Sequence, residues 1–307
     1  MIIYFAGTEG FNFDKILKNV KINMLESYFY LRKYKSISRI IDKADNFFLD
    51  SGAYSAYTQN VDIDINEYIA FIKNNNVKNY AVLDVIGSPE KTKMSQEYME
   101  NHDLKPIPCF HYGEPFEYLD YYVNHYDYVA LGGMVPIPTN ELAMWLDSVF
   151  SKYPNHKFHG FGMTTFSLMD RYPWFSVDST SYLAGGKTSQ IYINRKGFIF
   201  NGRGNDEFKK LTDTELNEFR FMCNKYGFTR ESLVSDLYDG LLQQQKGYVL
   251  RILYNIYFFI EYQNKRNALF NGFGINQKQL HDWFDGSHVE LNVNDLRSYQ
   301  SRLIEYR

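Results

Sequence analysis

The chain has 307 residues, is 45% hydrophobic and carries a net charge of −3. That length suits one large domain or a domain with an extension, and the apolar share is enough for a sizeable core. The near-neutral charge excludes a global pull toward nucleic acid or membrane. Its two cysteines, Cys109 and Cys223, exclude a disulfide framework or a multi-cysteine zinc site and fit a reducing, cytoplasmic compartment.

Met1 to Gly7 is apolar without a basic leader, so it reads as a strand and not as a signal peptide. From Ile2–Ala6 onward, apolar runs alternate with amphipathic segments. The predicted strands are Ile2–Ala6, Phe47–Leu49, Tyr80–Leu83, Ile107–Phe110, Tyr128–Leu131, Lys157–Phe161 and Trp174–Val177, with an eighth expected inside Gln190–Phe200. Most are apolar on both faces, as parallel strands covered by helices are. Ser88-Pro89-Glu90 is a helix start with Ser as N-cap and Pro at N1. Thr139-Asn140-Glu141 opens another before Leu142, Trp145, Leu146 and Val149, and Pro115 to Tyr126 forms a third. Strand–helix alternation repeated this often predicts a (β/α)8 barrel over residues 1–204. No Gly-x-Gly-x-x-Gly follows the first strand, which weakens a dinucleotide-binding fold.

Residues 205–307 read as a helical C-terminal region. The predicted helices are Thr212–Tyr226, Thr229–Gln245, Tyr248–Arg266, Asn276–Asp285 and Asn292–Glu305. The apolar stretch Ile252 to Ile260 is too short for a membrane span and contains Asn255, so it reads as a core helix. The 27 Tyr and 25 Phe accompany plentiful Lys, Asn and Ile. That pattern fits nucleotide-composition bias, so the aromatic count carries no functional weight.

Two runs end alike: Phe47-Phe48-Leu49-Asp50-Ser51-Gly52 and Trp174-Phe175-Ser176-Val177-Asp178-Ser179. A carboxylate at the end of a buried strand is costly unless it has a partner or a task. In a (β/α)8 barrel the strands' C-terminal ends form the active site. Those positions here are Asp50, Asp84, His111, Gly132-Gly133, Gly160 to Gly162 and Asp178. Taken singly, Asp50 and Asp178 fit helix-start or turn roles equally well. Asp84 does not, because Ser88 is the better cap. A lone His111 fits a hydrogen-bonded core histidine, and Gly132-Gly133 fits either a plain turn or a close backbone approach to a flat ligand. His156 and His159 lie three apart on one strand and so point to opposite faces; no metal centre is expected. Neither Ser51 nor Ser179 is marked as a nucleophile. Two carboxylates flanking a glycosidic carbon can act as nucleophile and general acid/base.

Asp50-Ser51-Gly52-Ala53-Tyr54 resembles the Asp-Ser-Gly-Gly-Phe motif of tRNA-guanine transglycosylases, which are (β/α)8 barrels. In order, Leu83-Asp84 resembles the family's base-recognising Asp, Ala130-Leu131-Gly132-Gly133 its Gly-Gly turn, and Val177-Asp178 the place of its nucleophile. The resemblance covers about residues 1–200. Ala53 departs from the second Gly, Tyr54 replaces the stacking aromatic, His111 stands where a Gln is expected, and the Cys-rich zinc site is missing from the sequence. The runs from Phe110 to Pro115 and from Tyr172 to Thr180 look closer to compact phage and bacterial relatives that insert 7-deazaguanines into DNA. The resemblance therefore implies base exchange in DNA, with tRNA as the alternative. Asp178 would be the nucleophile and Asp50 the proton shuttle. Asp84, His111, Gly132, Gly133 and Tyr54 would hold the base, with no metal or redox cofactor. A nucleoside or glycoside hydrolase would use the same two carboxylates with water in place of the incoming base, and a catalytically silent barrel would bind nucleic acid or a partner protein through the helical C-terminal region. Lys187, Arg195, Lys196, Arg203, Lys209 and Lys210 form a local basic segment suited to a polyanion, diluted by Asp206 and Glu207. A homo-oligomer is compatible with the sequence.

Overall fold

Short apolar strands pair only when both of their faces find cover, and eight of them do so within the first 180 residues. A computed structural model describes residues 1–8, 21–239 and 244–272. It divides into two compact units, Met1–Thr180 and Ser181 onward. In the first, the strands are β1 (Ile2–Ala6), β2 (Ile22–Ser27), β3 (Ala44–Asp50), β4 (Asn79–Tyr80), β5 (Cys109–His111), β6 (Tyr128–Gly132), β7 (Lys157–Gly160) and β8 (Ser176–Ser179). They form one eight-stranded sheet in the order β4-β3-β2-β1-β8-β7-β6-β5, with every pairing parallel. The two ends of that row meet. Ala81 bridges Ile107 in parallel, with Val82 N–H donating to Ile107 O and Ile107 N–H to Tyr80 O, both at 2.9 Å. The sheet thus curls into a (β/α)8 barrel with its strands in sequence order around the ring.

Helices fill the connections: α1 (Tyr28–Leu31) and α2 (Ser38–Ile41) after β2, α3 (Ala53–Thr58) and α4 (Ile65–Asn74) after β3, then α5 (Pro89–Glu100), α6 (Phe116–His125), α7 (Thr139–Lys152) and α8 (Phe166–Arg171). Their buried stripes, such as Leu142, Leu146, Val149 and Phe150 on α7, cover the outer sheet face. The interior is closed by Tyr4, Ala6, Leu25, Phe48 and Ala81, with Ile2, Ile107 and Phe161 packed against them.

Two expectations are corrected in this part of the chain. The eighth barrel strand is β2, not a segment of Gln190–Phe200. β2 escapes an apolar-run reading because it carries Glu26, which is fully buried yet bound by the Thr8 backbone N–H at 2.8 Å and by the Thr8 hydroxyl. Because β2 completes the ring, the first unit ends at Thr180, short of the boundary expected at 204.

In the second unit, Gln190–Ile193 (β9) and Lys196–Ile199 (β10) form an antiparallel hairpin. Short α9 (Ala184–Lys187) precedes it, and α10 (Asp213–Tyr226) follows, opened by a Thr212–Glu215 capping box and closed by Gly227 at φ 74°. The helix expected over Thr229–Gln245 is a single turn, α11 (Arg230–Leu233), followed by a strand pair, Tyr238–Asp239 (β11) and Gln244–Gln245 (β12). The long α12 (Lys246–Gly272) carries the predicted core stretch, with Ile252, Ile256 and Phe259 buried. Its Asn255 side chain accepts from Tyr192 N–H and donates to the Tyr182 and Gln190 carbonyls, stapling the hairpin to the helix. No helix among the described residues is long and apolar enough to cross a membrane. The segments Asn276–Asp285 and Asn292–Glu305 lie outside the described residues.

One glycine fixes how the chain leaves β3. Gly52 precedes α3 at φ 79°, and a Cβ there would sit 2.5 Å from Phe29 Cβ and 2.8 Å from its backbone nitrogen. Gly52→Ala is expected to lower stability by at least about 2 kcal/mol, through a disfavoured backbone and a clash with main chain. Urea unfolding of the two proteins checks it.

Candidate active site

Strand alternation builds the site. Phe48 lines the barrel interior, so Asp50, two residues on, extends the same inward face past the end of β3. Ile107, Cys109 and His111 repeat the pattern on β5, as do Ser176 and Asp178 on β8. The side chains therefore rise from the barrel core toward one mouth.

Asp50 is the most perturbed carboxyl of this mouth. Its pKa is pushed up to about 7, first by burial and then by the negative charges of Asp84 and Asp178, against the pull of the Gly52 N–H that donates to it at 3.0 Å. The influence of Asp84 and Asp178 on Asp50 joins three of the sequence-predicted residues in one electrostatic site. Burial together with these negative charges favours the protonated Asp50 carboxyl up to about pH 7.

Asp84 goes the other way. Burial would raise its pKa, but His111 and Ser51 more than offset it and hold Asp84 below the usual carboxylate range. Ser51 Oγ donates to Asp84 Oδ1 at 2.7 Å, and His111 Nε2 lies 3.0 Å from Asp84 Oδ2. The other His111 nitrogen, Nδ1, faces Glu114 Oε1 at 3.1 Å, while the His111 backbone N–H donates to Glu114 Oε2 at 2.9 Å. Burial alone would lower the His111 pKa; the Cys109 sulfur, and then the Asp84 and Glu114 carboxylates on its two ring nitrogens, push it up instead. His111 is thus a cation bracketed by two anions. Glu114 and Ser51 have no place among the residues singled out from sequence, although both stand inside quoted motifs; the His111-x-x-Glu114 spacing across a strand-end turn is the signal for the first.

Asp84, Cys109 and His111 offer ligand atoms all within 4.8 Å of one another, so these are the described residues that could gather around a metal ion. The Cys109 sulfur lies 3.5 Å from His111 Nε2, and burial pushes its thiol up to about 11. The trio would become a full ligand set only after that thiol lost its proton, which its burial opposes.

The glycine pair packs against this histidine. A Cβ on Gly132 would fall 2.8 Å from His111 Cδ2, and Gly133, at φ 68°, would place one 3.2 Å from His111 Cβ. Glycine at 132 is therefore needed for the His111 ring to stand where it does, a reason distinct from ligand approach.

Asp178 is buried, and its Oδ1 accepts from Gly162 N–H at 2.8 Å. The same oxygen lies 3.4 Å from His159 Nε2. His159, weighed from sequence only as half of a metal pair, is a further group whose place in the site sequence reasoning missed. His156, weighed together with it as a metal pair, precedes β7, and the two do not converge among the described residues.

Tyr54, on the first turn of α3, is 59% exposed, so its ring is free to meet a ligand. The predicted basic residues all lie in the second unit and are exposed. Several have local partners: Lys196 pairs with Glu215 at 2.9 Å, Arg203 with Asp236 at 3.7 Å, Lys210 with Glu207 at 2.9 Å, and Arg195 lies over the Tyr262 ring.

A parallel (β/α)8 barrel with unequal carboxyls at its C-terminal mouth defines an α/β protein with a candidate acid–base centre. The chain matches no protein-family model and no curated protein.

The raised Asp50 pKa has a consequence for stability. A proton bound more tightly in the folded state stabilises it at low pH, and that contribution is lost as pH rises from about 4 through about 7. Asp50→Asn removes the charge repulsion that replaces it. The variant is expected to melt about 3 °C above the parent at pH 8, with the gap shrinking toward pH 5, in thermal scans across that range.

Proposed function

We propose that the protein is a base-exchange transglycosylase that replaces guanine in DNA with a 7-deazaguanine. The observation that carries this reading is the unequal carboxyl set: Asp50 holds a proton up to about pH 7 while Asp84 stays ionised beside it. Transfer at a glycosidic carbon needs such a division, one carboxyl as acid and another as anion. The motif order from Asp50 to Asp178 supports the same reading.

In this mechanism the free oxygen of Asp178 attacks C1′ of the target deoxyguanosine. The bond from C1′ to the guanine nitrogen breaks, and the Asp50 proton passes to the departing base. The incoming 7-deazaguanine then gives its proton back to Asp50 and attacks C1′, releasing Asp178. The Asp84 carboxylate accepts from the N–H groups of the base edge. The His111 cation, held by Glu114, keeps that carboxylate charged, and the Gly132–Gly133 backbone supplies the remaining edge contacts. Tyr54 stacks on the ring face. A target in duplex DNA must be flipped out, at roughly a few kcal/mol. Lys187, Arg195, Lys196 and Arg203 contribute phosphate contacts, which makes binding fall with salt.

The test incubates the protein with DNA or tRNA and an isotope-labelled 7-deazaguanine, then measures nucleosides by mass spectrometry. Label in DNA is the expected outcome. Label in tRNA alone moves the substrate, guanine release without label makes the enzyme a hydrolase, and neither from a folded protein overturns the reading. Asp178→Ala is expected to abolish transfer and leave the melting profile cooperative. Guanine release should fall as pH rises through about 7, where Asp50 loses its proton, and Asp50→Asn should lower it by about 10²-fold or more.

A further inference from the structure

Beneath Asp178 the barrel interior holds a polar chain in an aromatic setting. His159 is fully buried on β7, and Ser176 is its register partner on β8. His159 Nδ1 lies 2.6 Å from Ser176 Oγ, and Ser176 Oγ lies 2.5 Å from the Tyr128 hydroxyl. The histidine ring sits among Phe161, Phe48, Tyr4 and Tyr128, at centroid distances of 4.6, 4.8, 6.0 and 6.5 Å. Its Nε2 makes no hydrogen bond and lies 3.4 Å from Asp178 Oδ1. A buried polar nitrogen left without a hydrogen bond is costly, and one standing this near a carboxylate calls for an explanation.

The proton positions follow from the geometry. A lone pair on Nε2 would face the carboxylate oxygen and repel it, so Nε2 carries the hydrogen and Nδ1 accepts. Ser176 then donates to Nδ1, which leaves its oxygen to accept from Tyr128. Burial holds the Tyr128 phenol well above its ordinary pKa, consistent with a phenol that keeps its proton and donates it.

We infer that His159 is a positioning residue for Asp178, locked by Tyr128 and Ser176 in the Nε2–H tautomer so that it holds Oδ1 and leaves Oδ2 as the attacking oxygen. This rests on the nucleophile role proposed above for Asp178. Catalytic contacts that are long in a free protein tighten in its substrate complex, and the 3.4 Å contact is assigned to that class. Gly162 N–H and His159 together fix one oxygen, so the carboxylate approaches C1′ in a single orientation.

Two measurements test it, one independent of activity. In ¹⁵N-edited NMR of the full chain, His159 is expected to show the Nε2–H tautomer, with a resonance that moves in Asp178→Asn. An Nδ1–H tautomer, or a resonance unmoved by Asp178→Asn, overturns the inference whether or not the protein transfers bases. In single-turnover transfer, His159→Phe, which fits the aromatic setting, is expected to slow covalent adduct formation by about 30-fold with KM unchanged. His159→Gln, which restores a donor near Nε2, should recover most of that loss, and Ser176→Ala should cost about tenfold by freeing the tautomer. A folded His159→Phe with parental kcat sinks the inference. If His159→Phe does not fold, Ser176→Ala decides by the same readouts. If the parent protein transfers no base while the NMR link between His159 and Asp178 holds, the transglycosylase reading fails and the positioning contact stands.

Discussion

Everything at the mouth of this barrel depends on one narrow seam. Seven of the strand contacts are ordinary parallel ladders, but β4 and β5 meet through a single bridge, Ala81 to Ile107, held by two backbone hydrogen bonds of 2.9 Å. That bridge turns an open row of strands into a ring. It also brings the Asp84 segment beside the His111 segment, although 27 positions separate the two residues. Their hydrogen-bonded pair caps the seam from above, so the closure of the fold and the assembly of the charged site are one structural event. Without closure, Asp84 would lose its cation and His111 would be left with Glu114 alone.

The site works as a sorting device for charge. Carboxyl groups of identical chemistry stand close together, and their neighbours decide which holds a proton. Asp50, buried and with two anions acting on it, is driven upward despite its donors; Asp84, with a hydroxyl and an imidazolium, is driven down. The Asp178 carboxylate is governed differently, by direction, since one of its oxygens is tied to Gly162 and faces His159. A proton donor, an anion and an oriented carboxylate are thus obtained from three copies of one residue type.

Much of this was legible before any coordinates. Apolar runs bounded by turns located seven of the strands, and reading their ends gave Asp50, Asp84, His111 and Asp178 because a barrel funnels those ends to one side. What stayed hidden was polar and inward. β2 was masked by Glu26, whose burial is tolerated only because Thr8 reaches it. The Gln190–Phe200 stretch has the β-propensity of a strand, and pattern alone cannot tell a ladder in the barrel from a hairpin in the second unit. Glu114 and His159 were passed over for a shared reason. Their importance lies in a partner elsewhere in the site: for Glu114 the only sequence signal is its three-residue spacing from His111, and a His inside an apolar strand announces no partner at all. The single turn of α11 shows the reverse failure, where helical composition from Thr229 onward outran the structure.

The contact between Gly132 and the His111 ring has an implication for how this barrel could diversify. Because a methyl group at 132 would overlap the imidazole at 2.8 Å, the two positions share a fixed volume. Any enlargement at one must be matched by shrinkage at the other, so they form a bump-and-hole pair. A lineage that traded the histidine for a smaller side chain could admit a larger residue at 132 and reshape the mouth without disturbing a single strand. Sequence drift at these two positions would then be correlated, and it would mark changes in what the barrel holds while its architecture stays the same.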